Sequence, residues 1–87
     1  MSDQQKVTVY GNAMCPYCGA ARMLLTKKAV EFENIDITVD SQKRQEMHKR
    51  SGSRSVPQIF IGATHVGGVD ELAALEVDGE LDELLAG

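Results

Sequence analysis

Two cysteines, Cys15 and Cys18, are the only thiols in the chain, and just two residues, Pro16 and Tyr17, separate them. A disulfide scaffold needs more cysteines at wider intervals. A bridge here closes a loop of four residues, and loop entropy gives such a staple only about 2 kcal/mol. A structural zinc site usually takes four ligands, and His48 and His65, the other good candidates, form no compact pair. The pair therefore suits thiol redox chemistry. Half of a zinc or iron–sulfur site, completed by a second chain or a small thiol, stays open, as does a chance pair of buried cysteines.

That chemistry needs thiolate, which an ordinary cysteine of pKa about 8.5 scarcely offers at neutral pH. Pro16 suits the first turn of a helix, where its missing N–H had no partner anyway. Cys15 then sits at the helix start, where unpaired N–H groups and the positive dipole end stabilise an anion. Cys15 is expected to be the exposed, low-pKa attacker. Cys18, one turn on, is expected to point inward, remain a thiol, and resolve a mixed disulfide on Cys15.

The elements that must place this pair read as follows. Val7–Tyr10 alternates and is β-branched, a strand. Gly11–Met14 turns into a helix from Pro16 to about Ala29, with Ala20, Ala21, Leu24, Leu25 and Lys28 at helical spacing. Phe32–Thr38 is a second strand, and the long crossover between the two predicts a parallel pair. Ser41 to about Arg50 is a polar helix with Gly52 past its end. Gln58–Ile61 and Thr64–Val66, joined across Gly62 and Ala63, form a hairpin. Gly67 and Gly68 break the sheet, Asp70 opens a helix that Gly79 interrupts, and Leu81, Leu84 and Leu85 mark a last turn or two. The order βαβαββα predicts an α/β fold: a four-stranded mixed sheet flanked by helices, thioredoxin-like, with the cysteine pair just after the first strand.

At 87 residues, 43% hydrophobic and 25% charged, the chain reads as a single domain over residues 1–87 with a thin core. No apolar run approaches the roughly 18 residues that cross a bilayer, and Met1–Lys6 lacks a signal-peptide pattern. A cytoplasmic protein acting away from membranes is expected. Net charge of −4 and the absence of tryptophan argue against nucleic-acid binding.

Three segments carry a family resemblance. Cys15–Pro16–Tyr17–Cys18 resembles the active site of the dithiol glutaredoxins. Ser55–Val56–Pro57–Gln58–Ile59–Phe60–Ile61 resembles their threonine-valine-proline segment, and Gly67–Gly68–Val69–Asp70–Glu71–Leu72 their glycine-glycine-x-aspartate-aspartate segment. The likeness spans about residues 6–86 and is strongest to the short bacterial glutaredoxin-3 type. It implies glutathione-dependent thiol–disulfide exchange on protein disulfides and glutathione mixed disulfides, with Cys15 as nucleophile and Cys18 as resolving thiol. It implies a glutathione groove formed by Tyr17, Ser55, Val56, Pro57, Gly68, Val69, Asp70 and Glu71. There Val56 meets the cysteinyl unit ahead of a cis proline, the helix start at Gly68–Asp70 takes the γ-glutamyl carboxylate, and Asp70 or Glu71 takes the ammonium. Glutathione is then a co-substrate, with no tightly bound cofactor and no metal. The implied partners are disulfide-containing or glutathionylated proteins, ribonucleotide reductase among them, and the implied state is a monomer. Family potentials of about −200 to −230 mV lie near the glutathione couple.

Asn12 stands where many members carry a lysine, Ser55 where threonine is usual, and Glu71 where a second aspartate is usual. The first departure shifts support of the thiolate toward the helix terminus. Two other readings share these residues: a donor reduced by thioredoxin reductase, and an iron–sulfur carrier in which two chains share a cluster through Cys15 and glutathione. Charge is polarised. Five basic residues and one acidic lie between Lys43 and Arg54, and seven acidic and no basic between Asp70 and Gly87. A solvated face accounts for each; drawing the anionic tripeptide toward Arg44, Arg50 or Arg54 is the functional alternative. His48 and His65 read as surface or packing residues, Tyr10 as core, Met23 and Met47 as packing between helix and sheet, and Met14 as a neighbour of the nucleophile.

Overall fold

A computed structural model describes residues 5–86. The elements run β1 (Val7–Gly11), α1 (Pro16–Lys27), β2 (Glu33–Asp36), α2 (Ser41–Ser51), β3 (Gln58–Ile61), β4 (Thr64–Gly67), α3 (Val69–Asp78) and α4 (Glu80–Ala86). The sheet has strand order β2-β1-β3-β4. β1 pairs parallel to β2 and antiparallel to β3, and β3 pairs antiparallel to β4. This is the mixed, thioredoxin-like sheet the element order predicts.

Alternation along β1 and β3 sends side chains to two faces. Val7, Val9, Ile59 and Ile61 join Ala21 and Leu25 of α1, Leu72 of α3, and Leu81 and Leu85 of α4. Tyr10, Phe60, Ile35 and Ile37 join Met47 of α2 on the other side. The first cluster is the larger, so α1 and α3, which flank the cysteine pair and the glycine-rich segment, rest on the main core. On the second face the Tyr10 hydroxyl donates to Glu46 and accepts from Arg50 at 2.8 Å, while the Arg50 guanidinium lies 4.0 Å from the Phe60 ring centroid. A buried phenol thus keeps its hydrogen bonds, and Arg50 is committed to packing.

Several boundaries differ from expectation, each for a local reason. α1 ends at Lys27 rather than near Ala29, and Ala29 takes a left-handed φ of 59°. No glycine announces that stop. β2 is confined to Glu33–Asp36, because the Asp36 carboxylate accepts the Thr38 N–H at 2.9 Å and turns the chain. Ile37 nonetheless stays buried and donates its N–H to the Gly11 carbonyl. The segment after Gly79 is a distinct helix, so the order ends αα. Met23 is 65% exposed, contrary to its expected packing role. It lies two residues from both Ala21 and Leu25, which puts it on the opposite face of α1. Ala20 is likewise exposed, and the buried stripe is Cys18, Ala21 and Leu25. Met47 and Tyr10 are fully buried as expected. Gly52, past the end of α2, has φ 71° and returns its N–H to the His48 carbonyl. Lys28 bridges Glu76 of α3 at 2.8 Å and Asp82 of α4 at 2.9 Å, so part of the acidic C-terminal charge ties helices together. No helix among the described residues is long and apolar enough to cross a membrane.

Candidate active site

Cys15 is the residue before α1, with extended backbone angles, and Pro16 takes the first helical position. Both cysteines are free thiols, Cys15 part-exposed and Cys18 buried. The Cys15 thiol is held below its ordinary pKa, chiefly by the Cys18 backbone N–H, then by the Cys18 thiol, the Tyr17 N–H and the charge of Arg22, against the opposing effect of partial burial. Those N–H groups are the open donors of the helix start. Cys18, fully buried, is shifted the other way, mainly by burial and also by the neighbouring Cys15, although the Asn12 N–H donates to its sulfur at 3.4 Å. The expected division into a reactive outer thiol and a quiescent inner one therefore has a physical basis in this geometry.

The two shifts have opposite consequences for stability. Folding favours the Cys15 thiolate, so its contribution is present above the ordinary thiol pKa and is lost as pH falls through the lowered value. Folding favours the neutral Cys18 thiol, so its contribution is lost as pH rises from the ordinary value toward the raised one. Reactivity follows the first shift. In the Cys18→Ser variant, alkylation of Cys15 by iodoacetamide, followed by mass spectrometry across pH, is expected to show a midpoint below the ordinary thiol range. A midpoint at or above that range would contradict the helix-start argument.

The loop before the pair is shaped around Cys18. Cys15 donates its N–H to the Asn12 carbonyl at 3.1 Å, and the Asn12 side chain accepts the Met14 N–H at 2.8 Å. Gly11 is required at its position, since a Cβ there would stand 2.9 Å from the Cys18 sulfur. Met14 and Tyr17 are exposed beside Cys15, at 87% and 65%.

Beyond Tyr17 a groove of about 330 Å³ runs across Ser53, Ser55, Val56 and Pro57 to Gly67, Gly68, Val69, Asp70 and Glu71, with Gln58 and His65 also lining it. All eight residues the resemblance places in a glutathione groove line this one. Cys15 is not among the lining residues; Tyr17 connects the groove to it. The Val56–Pro57 peptide bond is cis. Gln58 donates to the Ser55 carbonyl and hydroxyl at 3.0 and 3.1 Å, and its side-chain oxygen meets His65 Nε2 at 2.7 Å. His65 also stacks on Phe60. The sequence reads it only as a surface or packing residue and misses its groove-lining place; its register opposite Phe60 in the β3–β4 hairpin is the available signal. Ser53 was missed too, and only its closeness to Ser55 hinted at it. At the far end, Glu71 accepts the Gly68 N–H at 2.7 Å, capping α3, while Asp70 is exposed. Gly67 has φ 111°, and a Cβ there would press on the Glu71 carboxylate. Among the described residues no cluster of three or more His, Cys, Asp or Glu side chains is placed to hold a metal ion.

Residues 7–66 match the family model for glutaredoxins. The chain belongs to the glutaredoxin family. It is 51% identical over 79 residues to Glutaredoxin 3 of Escherichia coli strain K12, covering 91% of this chain and 95% of that one. It is 49% identical over 80 residues to a glutaredoxin of Pseudomonas aeruginosa, covering 92% and 95%. The solution structure of glutaredoxin from Brucella melitensis superposes with a TM-score of 0.83 at 48% identity, over 95% of this chain and 90% of that one. A crystal structure of a buckwheat glutaredoxin–glutathione complex superposes with a TM-score of 0.84 at 26% identity, over 93% and 76%. Glutaredoxins are thiol–disulfide oxidoreductases, and so is this chain.

Proposed function

We propose that this glutaredoxin, acting as one domain over residues 1–87, uses glutathione to reduce glutathionylated and disulfide-bonded proteins through Cys15 and Cys18. The observation that carries this reading is the pairing of a depressed Cys15 thiol at a helix start with a groove lined by Tyr17, Ser55–Pro57 and Gly68–Glu71. The buckwheat relative's complex with glutathione adds support.

In the first half-reaction the Cys15 thiolate attacks the glutathione sulfur of a mixed disulfide. The protein leaves as thiolate and takes a proton, and Cys15 is joined to glutathione. A second glutathione thiolate attacks that sulfur, releasing glutathione disulfide and the Cys15 thiolate. With a protein disulfide, Cys15 forms a mixed disulfide and Cys18, losing its proton, attacks Cys15. The Cys15–Cys18 bridge forms, the second substrate thiol departs, and two glutathiones reopen the bridge. Each cycle moves two electrons from glutathione to substrate.

The groove suits a zwitterionic γ-glutamyl head. Helix-start N–H groups of α3 favour the carboxylate, and the exposed Asp70 favours the ammonium. Glu71, occupied by the Gly68 N–H, leaves Asp70 as the freer of the two carboxylates. Asp70→Asn is expected to raise the KM for glutathione about two- to fivefold, the scale of an exposed ion pair, with kcat nearly unchanged. An unaltered KM would remove Asp70 from the groove's recognition set.

A cytoplasmic location fits this reading, because glutathione keeps cytosolic thiols reduced, and the reading takes the chain to act as a monomer. The test is turnover of a small glutathione mixed disulfide with glutathione, glutathione reductase and NADPH. Turnover by the wild type supports the proposal. No turnover, with reduction through thioredoxin reductase instead, would overturn the electron donor.

A further inference from the structure

Cys18 carries a chemical problem that the helix start does not solve. Its sulfur is buried, one turn inside α1, beyond the donors that serve Cys15. Yet in the dithiol reaction it must shed a proton and attack. The groups around it are few. The Asn12 N–H approaches at 3.4 Å. Cys15 lies one turn before it and Arg22 one turn after it on α1. From the sheet comes Gly11, which has no side chain. A Cβ built there would lie 2.9 Å from the Cys18 sulfur and 3.7 Å from Arg22 Nη1, so sulfur and guanidinium converge on the same empty place. Asp36, opposite Gly11 in the β1–β2 ladder, lies within the electrostatic reach of Arg22.

We propose that Arg22 is the positioning residue for the resolving half-reaction, its half-buried guanidinium stabilising negative charge on the Cys18 sulfur while Cys15 is tied in a mixed disulfide. The inference rests on the assignment of Cys15 as attacker and Cys18 as resolver. Free Cys15 opposes ionisation of Cys18, both by charge and by competing for its hydrogen. Once Cys15 is in a disulfide, that opposition disappears. What remains is burial against the thiolate, with the Asn12 N–H and Arg22 in its favour. Arg22 therefore matters most in the intermediate. Cys18 gives its proton to solvent, its thiolate attacks Cys15, the Cys15–Cys18 bond forms, and the substrate thiolate leaves and is protonated. With Asn12 at the position where many family members carry a lysine, Arg22 supplies a cation from inside α1.

The test separates the two halves with 2,2′-dipyridyl disulfide, a neutral probe that Arg22 has no charge to attract. Reduced protein releases one thiopyridone when Cys15 attacks and a second when Cys18 resolves. Arg22→Gln is expected to slow the second release about fivefold near neutral pH and to raise its pH midpoint. The first release should slow by less than about threefold, since helix-start N–H groups dominate at Cys15. Arg22→Lys should restore most of the second rate. An unchanged second release, or equal slowing of both releases, overturns the proposal. Cys15→Ser and Cys18→Ser controls must remove both releases and the second release respectively. If they fail to, the assignment of attacker and resolver falls, a result distinct from any behaviour of Arg22.

Discussion

Replacing Cys15 by serine is expected to abolish turnover of glutathione mixed disulfides, lowering kcat/KM by about three orders of magnitude or more. The helix start that stabilises a thiolate cannot make an alkoxide at neutral pH, because a hydroxyl begins far above any pKa that a few N–H donors can offset. Cys18→Ser should behave differently. It removes no group that the mixed-disulfide cycle uses, since a second glutathione discharges Cys15 directly. The serine hydroxyl also retains a donor beside the Cys15 sulfur. Turnover of the small mixed disulfide should persist, while reduction of a protein disulfide should stall at the mixed-disulfide stage, visible as a mass increase. Activity retained by Cys15→Ser and lost in Cys18→Ser would reverse the roles assigned here.

The second large effect concerns the support beneath the groove. Leu72→Ala is expected to destabilise the fold by about 3 kcal/mol, the middle of the range for a buried leucine. For a chain of this size that corresponds to a fall in Tm of roughly 15 °C. Leu72 is fully buried in the main core with Leu25, Leu81 and Ile59, and it is the buried residue of α3. The helix that presents Val69 and Asp70 to the groove is thus anchored chiefly through Leu72, with Val69 and Leu75 partly buried against the same cluster. Truncation leaves a cavity between α3 and the sheet, so the KM for glutathione should rise well below the new melting temperature. Thermal melts by circular dichroism together with the coupled assay provide the check; a fall of less than about 5 °C would mean that α3 is held mainly by its other contacts, Val69 and Leu75 on the core and the Lys28–Glu76 ion pair.

Much of this was legible in residue types and spacing. The β1 alternation, the Cys15–Pro16 helix start, the hairpin across Gly62 and the three family-like segments all express local preferences that agree with the fold. What escaped depends on contacts between distant segments. Nothing about Gly11 distinguishes it from any turn glycine until Cys18 packs against it. Nothing in the sequence sets Arg22 apart from other helical cations, and only the packing of α1 on β1 brings it and Cys18 together beside Gly11. The stop of α1 at Lys27 hides because Ala29 adopts a left-handed angle without the glycine that usually signals it. Hydrophobicity suggests packing for Met23, but its angular position on α1 leaves it exposed. Arg50 illustrates the same limit: sequence offered it to an anionic ligand, while its aromatic neighbours Tyr10 and Phe60, brought together by β1–β3 pairing, engage it.

The two-faced packing has a consequence for motion before contact. The basic helix α2 lies on one side of the sheet and the acidic helices α3 and α4 on the other. The molecule is thus an electric dipole directed through the sheet, superimposed on a net charge of −4. Its smallest extent is 22 Å, nearly three screening lengths at physiological salt, where the Debye length is about 8 Å. In dilute buffer a charged protein therefore exerts a torque on the whole body, and the two turn into alignment while still apart. At cellular ionic strength the poles are felt one at a time, and each partner meets only the charge of the face it has reached.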